Sequence, residues 1–509
     1  MDSIVPPWIG FEIEVGNHLA GSESKDSDLK AARALSAAFA KRFARLPSVD
    51  EETGCGVEEF ARTGDRGYVD HRHFEFSSSL ACSARDLVYQ HRKARRILEI
   101  CKADAEKNGA PICVHLNNTN RQGACWGFHL NVLVGRDIFE SWRESNWEPL
   151  FSQWIPFLVT SPALFGSGKT VSEKDDSCEG FQLSQRAEFI NRNLGLETVA
   201  SKSLHNLRDE ALADPNRFAR LHIIAFDTNQ LEFANWLKFG CVQVLLSVIQ
   251  EDWPLPDLTL DDAVVSIHEV SQDLSLREKL DMANGRKLSA LEIQKKLALA
   301  VSAAVRHGAA SCVPDAGLLC RYWLDSTDRL EKGDPALASR LDWVAKRRFL
   351  ECFPAGSHPV ASDLRFAEVG PNDTLRSLSR ARLVERLEDF LPSSSLSQPQ
   401  RQNTRECARK LLLRRFGPEA LEVGWTRCFF SKSPQSAWEV PLEDVIDSGP
   451  LLDSIESSES LEDFLHHVSR AGLAREAAVV EVILHPDEIQ KEPENASPIE
   501  EKEKSSRLE

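Results

Sequence analysis

The sequence has little of what marks a secreted, membrane-spanning or nucleic-acid-binding protein. Its first ten residues carry neither a basic cluster nor a long apolar run, so a secretion signal is not expected. Its most apolar stretches, such as 240–250, fall short of the roughly 20 residues that cross a bilayer. A formal net charge of −17 argues against general nucleic-acid binding, which needs basic surface. We predict a soluble, cytoplasmic protein.

Paired cysteines are also missing. The 12 cysteines are scattered singly without a Cys-x-x-Cys pair, so neither a zinc site nor a thioredoxin-like redox site is predicted. Without a secretion signal, these thiols are expected to be reduced and mostly buried. The remaining composition is that of a globular protein, because 42% of the 509 residues are hydrophobic and 27% are charged.

Hydrophobic periodicity predicts an α+β fold, in which an antiparallel sheet packs against helices. Strands are expected near 9–16, 66–79, 113–118, 126–134 and 221–227. Helices are expected at 29–46, through most of 237–391, and at 403–416.

The composition changes twice near the C-terminus. A Ser/Pro/Gln-rich stretch at 391–402 is typical of a linker or loop, and the residues after 485 are charged and nearly free of apolar groups. We predict a large domain over 1–415, a small C-terminal domain over 416–485 and a disordered acidic tail over 486–509.

Two carboxylates lie on one face of the first predicted strand. Glu12 and Glu14 alternate with Phe11 and Ile13, so the acidic pair faces away from the apolar pair. Paired carboxylates on a rigid strand suit an oxygen-seeking cation such as Mg²⁺. The alternative is a half-exposed strand whose polar face happens to be acidic.

A second polar face follows in the next predicted strand. Arg66, Tyr68 and Asp70 share one face by alternation, and together they could bind phosphate, bind metal and act on a nucleophile. His73 and Glu75 are an odd number of residues from Asp70, so on a straight strand they would lie on the opposite face. They lie on the same face as Asp70 only if the chain bends near His71 and Arg72. The alternative is a polar edge strand.

Two histidines lie on otherwise apolar strands. His129 and Asn131 share one strand face, whereas Leu130 faces the other way. His222 lies between apolar neighbours, where a histidine is more often a satisfied core residue than a ligand.

The segment 166–170 (GSGKT) ends like a phosphate-binding P-loop. The complete pattern demands a glycine where this chain has Ala163, and no convincing parallel strand precedes it. A true P-loop is not predicted.

In their order along the chain, these segments resemble the Pup ligase/deamidase family. The matching segments are 10–16 (GFEIEVG), 68–75 (YVDHRHFE), 117–119 (NNT), 127–131 (GFHLN), 181–186 (FQLSQR), 208–210 (RDE), 220–222 (RLH), 237–240 (LKFG) and 341–343 (LDW). The resemblance spans roughly residues 9 to 465.

This resemblance implies a glutamine-synthetase-like catalytic domain whose curved sheet forms a cradle, followed by a small C-terminal domain. One edge of the cradle would bind ATP with Mg²⁺, and the other would receive the C-terminal glutamate or glutamine of Pup, a small disordered protein modifier. The metal ligands it implies are Glu12, Glu14, Tyr68, Glu75, His129 and His222. The nucleotide or phosphate contacts it implies are Arg66, Ser78, Arg186, Arg208 and Trp425. Asp70 corresponds to the catalytic carboxylate.

The spacing from Asp70 to Glu75 resembles the deamidase branch, whereas ligases of the family have one residue more between these positions. The resemblance therefore implies hydrolysis of the terminal amide of the modifier or of its isopeptide bond to a target lysine. Two departures are His73-Phe-Glu-Phe76, where the family has His-Pro-Glu-Tyr, and Leu130, where it has glutamate.

Two other functions stay open. The loop expected between the 29–46 helix and Arg66 is short, which favours an ATP-consuming ligase that joins a carboxylate to an amine. Leu130 and the changed segment after Arg208 favour a non-catalytic protein that binds nucleotide. A basic run at 91–102 could receive an acidic modifier or could be a solvated helix face.

Overall fold

Eight strands build one main sheet, and smaller sheets surround it. The computed structural model describes residues 6–43, 59–61, 63–120, 123–171, 180–197, 201–353, 359–396, 404–433, 436–442, 444 and 447–478. The strands, in chain order, are β1 (Ile9–Glu14), β2 (Gly16–Leu19), β3 (Glu59–Phe60), β4 (Arg66–Asp70), β5 (His73–Ser77), β6 (Ile112–His115), β7 (Phe128–Gly135), β8 (Lys169–Val171), β9 (Gly180–Gln182), β10 (Ile190–Gly195), β11 (Lys202–Asn206), β12 (Phe218–Ile223), β13 (Lys279–Asp281), β14 (Lys287–Ser289), β15 (Ala420–Val423), β16 (Arg427–Ser433), β17 (Ser436–Pro441) and β18 (Arg475–Ala478).

Helices cover the apolar side of this sheet and fill the second half of the chain. They are α1 (Ser27–Phe43), α2 (Ala84–Lys107), α3 (Arg136–Glu144), α4 (Ile155–Thr160), α5 (Pro162–Phe165), α6 (Glu232–Gln250), α7 (Ala263–Gln272), α8 (Ala290–Arg306), α9 (Ala316–Glu331), α10 (Asp342–Leu350), α11 (Pro359–Ala367), α12 (Thr374–Arg380), α13 (Leu387–Phe390), α14 (Ser393–Leu396), α15 (Arg405–Phe416), α16 (Gly449–Ser457) and α17 (Leu461–Arg470).

The main sheet has the strand order β10-β11-β12-β7-β1-β5-β4-β3. Every neighbouring pair is antiparallel except β10 and β11, which are parallel. The predicted α+β class with a largely antiparallel sheet is confirmed. The outermost strands β10 and β11 were not predicted, because a polar segment such as β10 (INRNLG) lacks alternating apolar residues.

One face of the main sheet is apolar and packs against α6. The rings of Phe11 on β1 and Phe128 on β7 stack on Phe239 of α6, with centroids 6.4 Å and 6.3 Å away. Leu130 is fully buried in the same core. Since side chains alternate along a strand, the neighbours of these residues are directed to the opposite face, which we call the cradle face.

Helix α6 is long and apolar enough to cross a membrane by length and composition alone, but 94% of its apolar window is buried inside the protein. The predicted apolar stretch was therefore too short, since the helix extends over 19 residues. Burial in the core explains its hydropathy.

The segment 166–170 leads from α5 into β8, which is the reverse of the strand-to-helix order of a P-loop. The carbonyl oxygen of Gly168 accepts hydrogen bonds from Lys346 Nζ at 2.7 Å and from Gln185 Nε2 at 3.1 Å. The rejection of a P-loop is confirmed, and the segment serves to connect parts of the core.

The basic run at 91–102 lies in α2, and its first arginines point into the protein. Arg92 pairs with Glu388 at 2.8 Å and with Glu232, while Arg95 pairs with Asp373 at 2.7 Å. The alternative of a solvated helix face is wrong for these two arginines, because acidic partners from α6, α13 and the start of α12 already pair with them. Binding of an acidic modifier to the run stays a prediction.

Strands β15 to β18 form a separate antiparallel sheet, and helices α15, α16 and α17 pack against it. We call these elements the C-terminal unit. Its own hydrophobic core includes Leu412 and Phe416 of α15 together with Phe430 and Phe464. The boundary at 415/416 stays a prediction, and the predicted acidic tail lies outside the described residues.

Candidate functional site

A tight hairpin brings the second polar face together. Strands β4 and β5 turn at His71, whose φ of 51° places it in the left-handed region. Tyr68 lies directly across from Glu75, and Asp70 lies across from His73. Residues directly opposite in an antiparallel pair share a face. The predicted bend after Asp70 is confirmed. Because of this bend, His73 and Glu75 lie on the same sheet face as Asp70, although each is an odd number of residues away from it.

The central strands add their polar residues to the same face. On β1, Glu14 lies across from Glu75, and Glu12 lies across from His129 of β7. His222 of β12 lies across from Asn131. The cradle face therefore carries Glu12, Glu14, Arg66, Tyr68, Asp70, Glu75, His129, Asn131 and His222.

Three carboxylates meet on this face. One oxygen each from Glu14, Asp70 and Glu75 lies within 4.8 Å of the other two. The Gly127 amide donates to Glu14 at 2.8 Å, and the Tyr68 hydroxyl donates to Glu75 at 2.7 Å. Burial, followed by the charges of Glu12 and Glu14, raises the pKa of Glu75 well above its usual range. A divalent cation would relieve this repulsion, and carboxylate oxygens are the ligands that Mg²⁺ prefers.

A second cluster combines one carboxylate with two imidazoles. One atom each from Glu12, His129 and His222 lies within 4.8 Å of the others. His129 Nδ1 lies 3.1 Å from Glu12 Oε2, and the two imidazole rings meet edge to face. Burial, followed by the charge of Arg220, lowers the pKa of His222 well below its usual range, so this imidazole is neutral. A neutral imidazole can act as a metal ligand.

The pKa of Glu12 reflects opposing influences. Burial alone raises the pKa, but the hydrogen bond from His129 and the neighbouring positive charges outweigh it, and the pKa lies well below the usual range for glutamate. Glu12 is therefore a carboxylate at neutral pH.

Gly127 lies close to one side chain of each cluster, and its replacement by alanine is expected to disturb both. A Cβ atom there would lie 2.4 Å from His129 Nε2 and 2.9 Å from Glu14 Oε1, so both side chains would have to move. The resemblance implies that His129 and Glu14 bind a metal ion, and on that expectation Gly127→Ala should weaken Mn²⁺ binding about 10- to 100-fold. Electron paramagnetic resonance of free Mn²⁺ measures this. The matched control is Gly195→Ala on β10, where the added Cβ makes ordinary contacts at 3.4 Å. Equal affinity in the two variants would contradict the expected displacement.

The C-terminal unit reaches the edge of the cradle through the loop between β15 and β16. The guanidinium carbon of Arg66 lies 5.9 Å from the centroid of the Trp425 ring and 5.9 Å from that of Tyr68. The guanidinium carbon of Arg409, on α15, lies 4.6 Å from the same tryptophan ring. The structure therefore brings together two residues that the family resemblance placed at a nucleotide.

Three other predicted contact residues have different surroundings. Ser78 is buried, and its hydroxyl oxygen accepts a hydrogen bond from the Phe11 amide at 2.9 Å, which ties the end of β5 to β1. Arg186 is 1% exposed and donates to the carbonyl oxygen of Ile224 at 2.8 Å. A ligand would reach Arg186 only after such bonds break. Arg208 is partly exposed. The roles predicted for these three residues stay predictions.

Asn131 and Arg220 are residues of the cradle face that received no role from the sequence. Asn131 bridges Glu12 and His222. Arg220 lies two residues before His222 on β12, and its Nε is buried without a hydrogen-bond partner among the described residues. Strand alternation alone puts Arg220 on the same face as His222, so this signal was present in the sequence.

The sequence matches the family described as Pup-ligase protein over residues 14–429. It is 30% identical to the Pup deamidase/depupylase of Mycolicibacterium smegmatis, over 82% of this chain and 84% of that protein. It is 31% identical to the depupylase of Acidothermus cellulolyticus, over 75% of this chain and 76% of that protein. A Pup--protein ligase of Saccharomonospora viridis is 32% identical, over 61% of this chain and 68% of the ligase.

Solved structures show the same fold. The ligase PafA in its complex with the prokaryotic ubiquitin-like protein Pup superimposes with a TM-score of 0.73 at 22% identity, over 92% of this chain and 93% of that chain. PafA in complex with ADP gives a TM-score of 0.66 at 23% identity, over 78% of this chain and 89% of that chain. These matches confirm the predicted fold.

Proposed function

Since this chain belongs to the Pup-ligase family, we propose that it is an ATP- and Mg²⁺-dependent hydrolase of the Pup deamidase/depupylase type. Its substrate would be a Pup-like modifier, and the bond cleaved would be the C-terminal glutamine amide or the isopeptide bond to a target lysine. Support comes from the relatives named deamidase or depupylase, which this chain matches over three quarters of its length or more.

The observation that carries the hydrolase proposal is the geometry of the β4–β5 hairpin. The short spacing from Asp70 to Glu75 closes a tight turn, which puts Asp70 beside Glu14 and Glu75 and across from His73. The Asp70 side chain is 42% exposed, so a substrate can reach it from the cradle. We assign Asp70 the activation of the attacking water.

The reaction balances with water as the only co-substrate. Asp70 accepts a proton as the water oxygen bonds to the amide carbon, and the carbon–nitrogen bond then breaks. Asp70 returns this proton to the leaving nitrogen, and the new carboxylic acid gives up its own proton to the released base, so that the products are a carboxylate and ammonium or the lysine ammonium.

The donor set fits the proposed cofactors. Glu14 and Glu75 provide carboxylate oxygens for Mg²⁺ next to Asp70, and Arg66 with Trp425 provides a cation and an aromatic ring at the edge for a nucleotide. When bound, Mg²⁺ would neutralise phosphate charge on the cradle face.

Intact mass spectrometry tests this function. A Pup-like modifier ending in glutamine is incubated with the protein, Mg²⁺ and ATP, and its mass is followed together with the ADP formed. We expect the terminal amide to become the acid while ATP is not consumed in proportion. No conversion despite measured nucleotide binding would overturn the proposal.

The second candidate is a ligase, which the match to a Pup--protein ligase supports. It would release one ADP for each carboxylate joined to an amine, so the same experiment separates it from the hydrolase. Leu130 was one of the two reasons for considering a non-catalytic role. This reason no longer holds, because Leu130 lies in the core behind the sheet and leaves the cradle face unchanged.

A further inference from the structure

Asn131 lies at the centre of the cradle face, between two of the proposed metal ligands. Its side-chain nitrogen donates to Glu12 Oε1 at 2.9 Å, and its side-chain oxygen lies 2.7 Å from His222 Nδ1. Glu12 is on β1 and His222 is on β12, the two strands that flank β7. One amide therefore connects three adjacent strands.

These two contacts determine which nitrogen of His222 carries the proton. A carboxylate can only accept hydrogen bonds, so the NH₂ group of Asn131 must face Glu12. The amide oxygen then faces His222, and an oxygen acceptor requires a proton on Nδ1. The neutral ring is left with its lone pair on Nε2.

The same logic applies to His129. Its Nδ1 lies 3.1 Å from Glu12 Oε2, so Nδ1 donates to the carboxylate and Nε2 is left to accept or to bind a cation. Metal-binding histidines generally donate their second ring nitrogen to a carboxylate or carbonyl oxygen in this way. Both histidines of the cluster show this arrangement, one through Glu12 directly and the other through Asn131.

We propose that Asn131 is a positioning residue of the active site, which holds His222 in the tautomer that presents Nε2 and holds Glu12 in place against His129. The consequence of this role is a cation site that is ready to bind its ion, and this consequence rests on the proposed function. Because His222 is buried, no bulk water replaces the amide when it is lost. The ring would then move its proton to Nε2 or rotate, and either change removes the ligand atom.

Nitrogen NMR of the metal-free protein tests the tautomer without using activity. The protein is labelled with ¹⁵N-histidine, and the His222 signals are assigned by their absence in His222→Gln. We expect the wild type to show the proton on Nδ1, since the Asn131 oxygen accepts a hydrogen bond from it. Asn131→Leu, similar in size but without polar atoms, should lose this single tautomer. An unchanged tautomer in Asn131→Leu would overturn the proposal. Should the leucine variant fail to fold, Asn131→Ser gives the same measurement, because its hydroxyl is too short to reach both partners.

Binding of Mn²⁺ separates this inference from the proposed function. We expect Asn131→Leu to bind Mn²⁺ about 10- to 100-fold more weakly than the wild type. The control Asn191→Leu removes an exposed amide from β10 and should bind Mn²⁺ as the wild type does. A wild type that binds no divalent cation would contradict the proposed metal dependence, whereas equal binding by the wild type and Asn131→Leu would contradict the role of Asn131.

Discussion

Replacing Asp70 by asparagine should slow amide cleavage about 10²- to 10⁴-fold while nucleotide binding persists. Asparagine has the same shape but cannot accept the proton of the attacking water. Asp70 ends β4, and one of its oxygens lies 2.9 Å from His71 Nδ1. The nucleotide contacts proposed for Arg66 and Trp425 lie at the other end of β4, so they should survive. Intact mass spectrometry measures cleavage, and calorimetric titration with a nucleotide measures binding.

Asp325→Asn is the matched control for this experiment. Asp325 lies on α9, is 45% exposed and pairs with arginines, so its charge and exposure resemble those of Asp70 outside the cradle face. We expect unchanged cleavage in this control. Cleavage at the wild-type rate in Asp70→Asn would remove Asp70 as the catalytic carboxylate. Loss of nucleotide binding would instead indicate a role for Asp70 in the cation cluster.

Removing the buried charge of Lys346 should lower the free energy of unfolding by about 3–5 kcal/mol. Its ammonium lies 2.8 Å from Asp363, and the two side chains are 1% and 2% exposed. In Lys346→Met, the buried Asp363 carboxylate would lose the positive charge of Lys346, while the Thr170 amide still donates to it at 2.9 Å. Urea denaturation followed by tryptophan fluorescence measures the loss.

Two further variants show whether charge is the cause. Lys346→Met combined with Asp363→Leu removes both charges and should recover most of the loss, because an apolar pair of similar size replaces a buried ion pair at little cost. Lys279→Met breaks an exposed pair with Glu292, for which we expect less than about 1 kcal/mol. A double variant as unstable as Lys346→Met would show that packing, and not the loss of the Lys346 charge beside Asp363, is responsible.

The polar residues of the cradle face could be predicted one strand at a time. Glu12 with Glu14, and His129 with Asn131, share a face because side chains alternate with a period of two, which is a local property of the chain. The same alternation placed Leu130 in the core, as the structure confirms. The roles of these residues came from the resemblance to a family, since spacing alone left a polar edge strand and a satisfied core histidine open.

Charged residues show where local reasoning stops. Arg92 and Arg95 looked like a basic surface, yet Arg92 pairs with Glu388, which lies 296 residues further along the chain. Burying a charged group is costly unless an oppositely charged partner is present. That partner can come from any segment that packs nearby in the folded chain, however distant it is in the sequence. No pattern within α2 reveals that partner.

By itself, the sequence determined which side chains share a strand face, the class of the fold and the family to which the chain belongs. Only the tertiary structure decided which strands are neighbours, and hence that Asn131 joins Glu12 to His222 and that Trp425 lies beside Arg66. It also decided which cations are neutralised internally, as Lys346 is by Asp363. The physical reason is the distance along the chain over which each effect acts. Alternation of side chains follows from backbone geometry over a few residues. Pairing between strands and between buried charges depends on how segments far apart in the chain pack together.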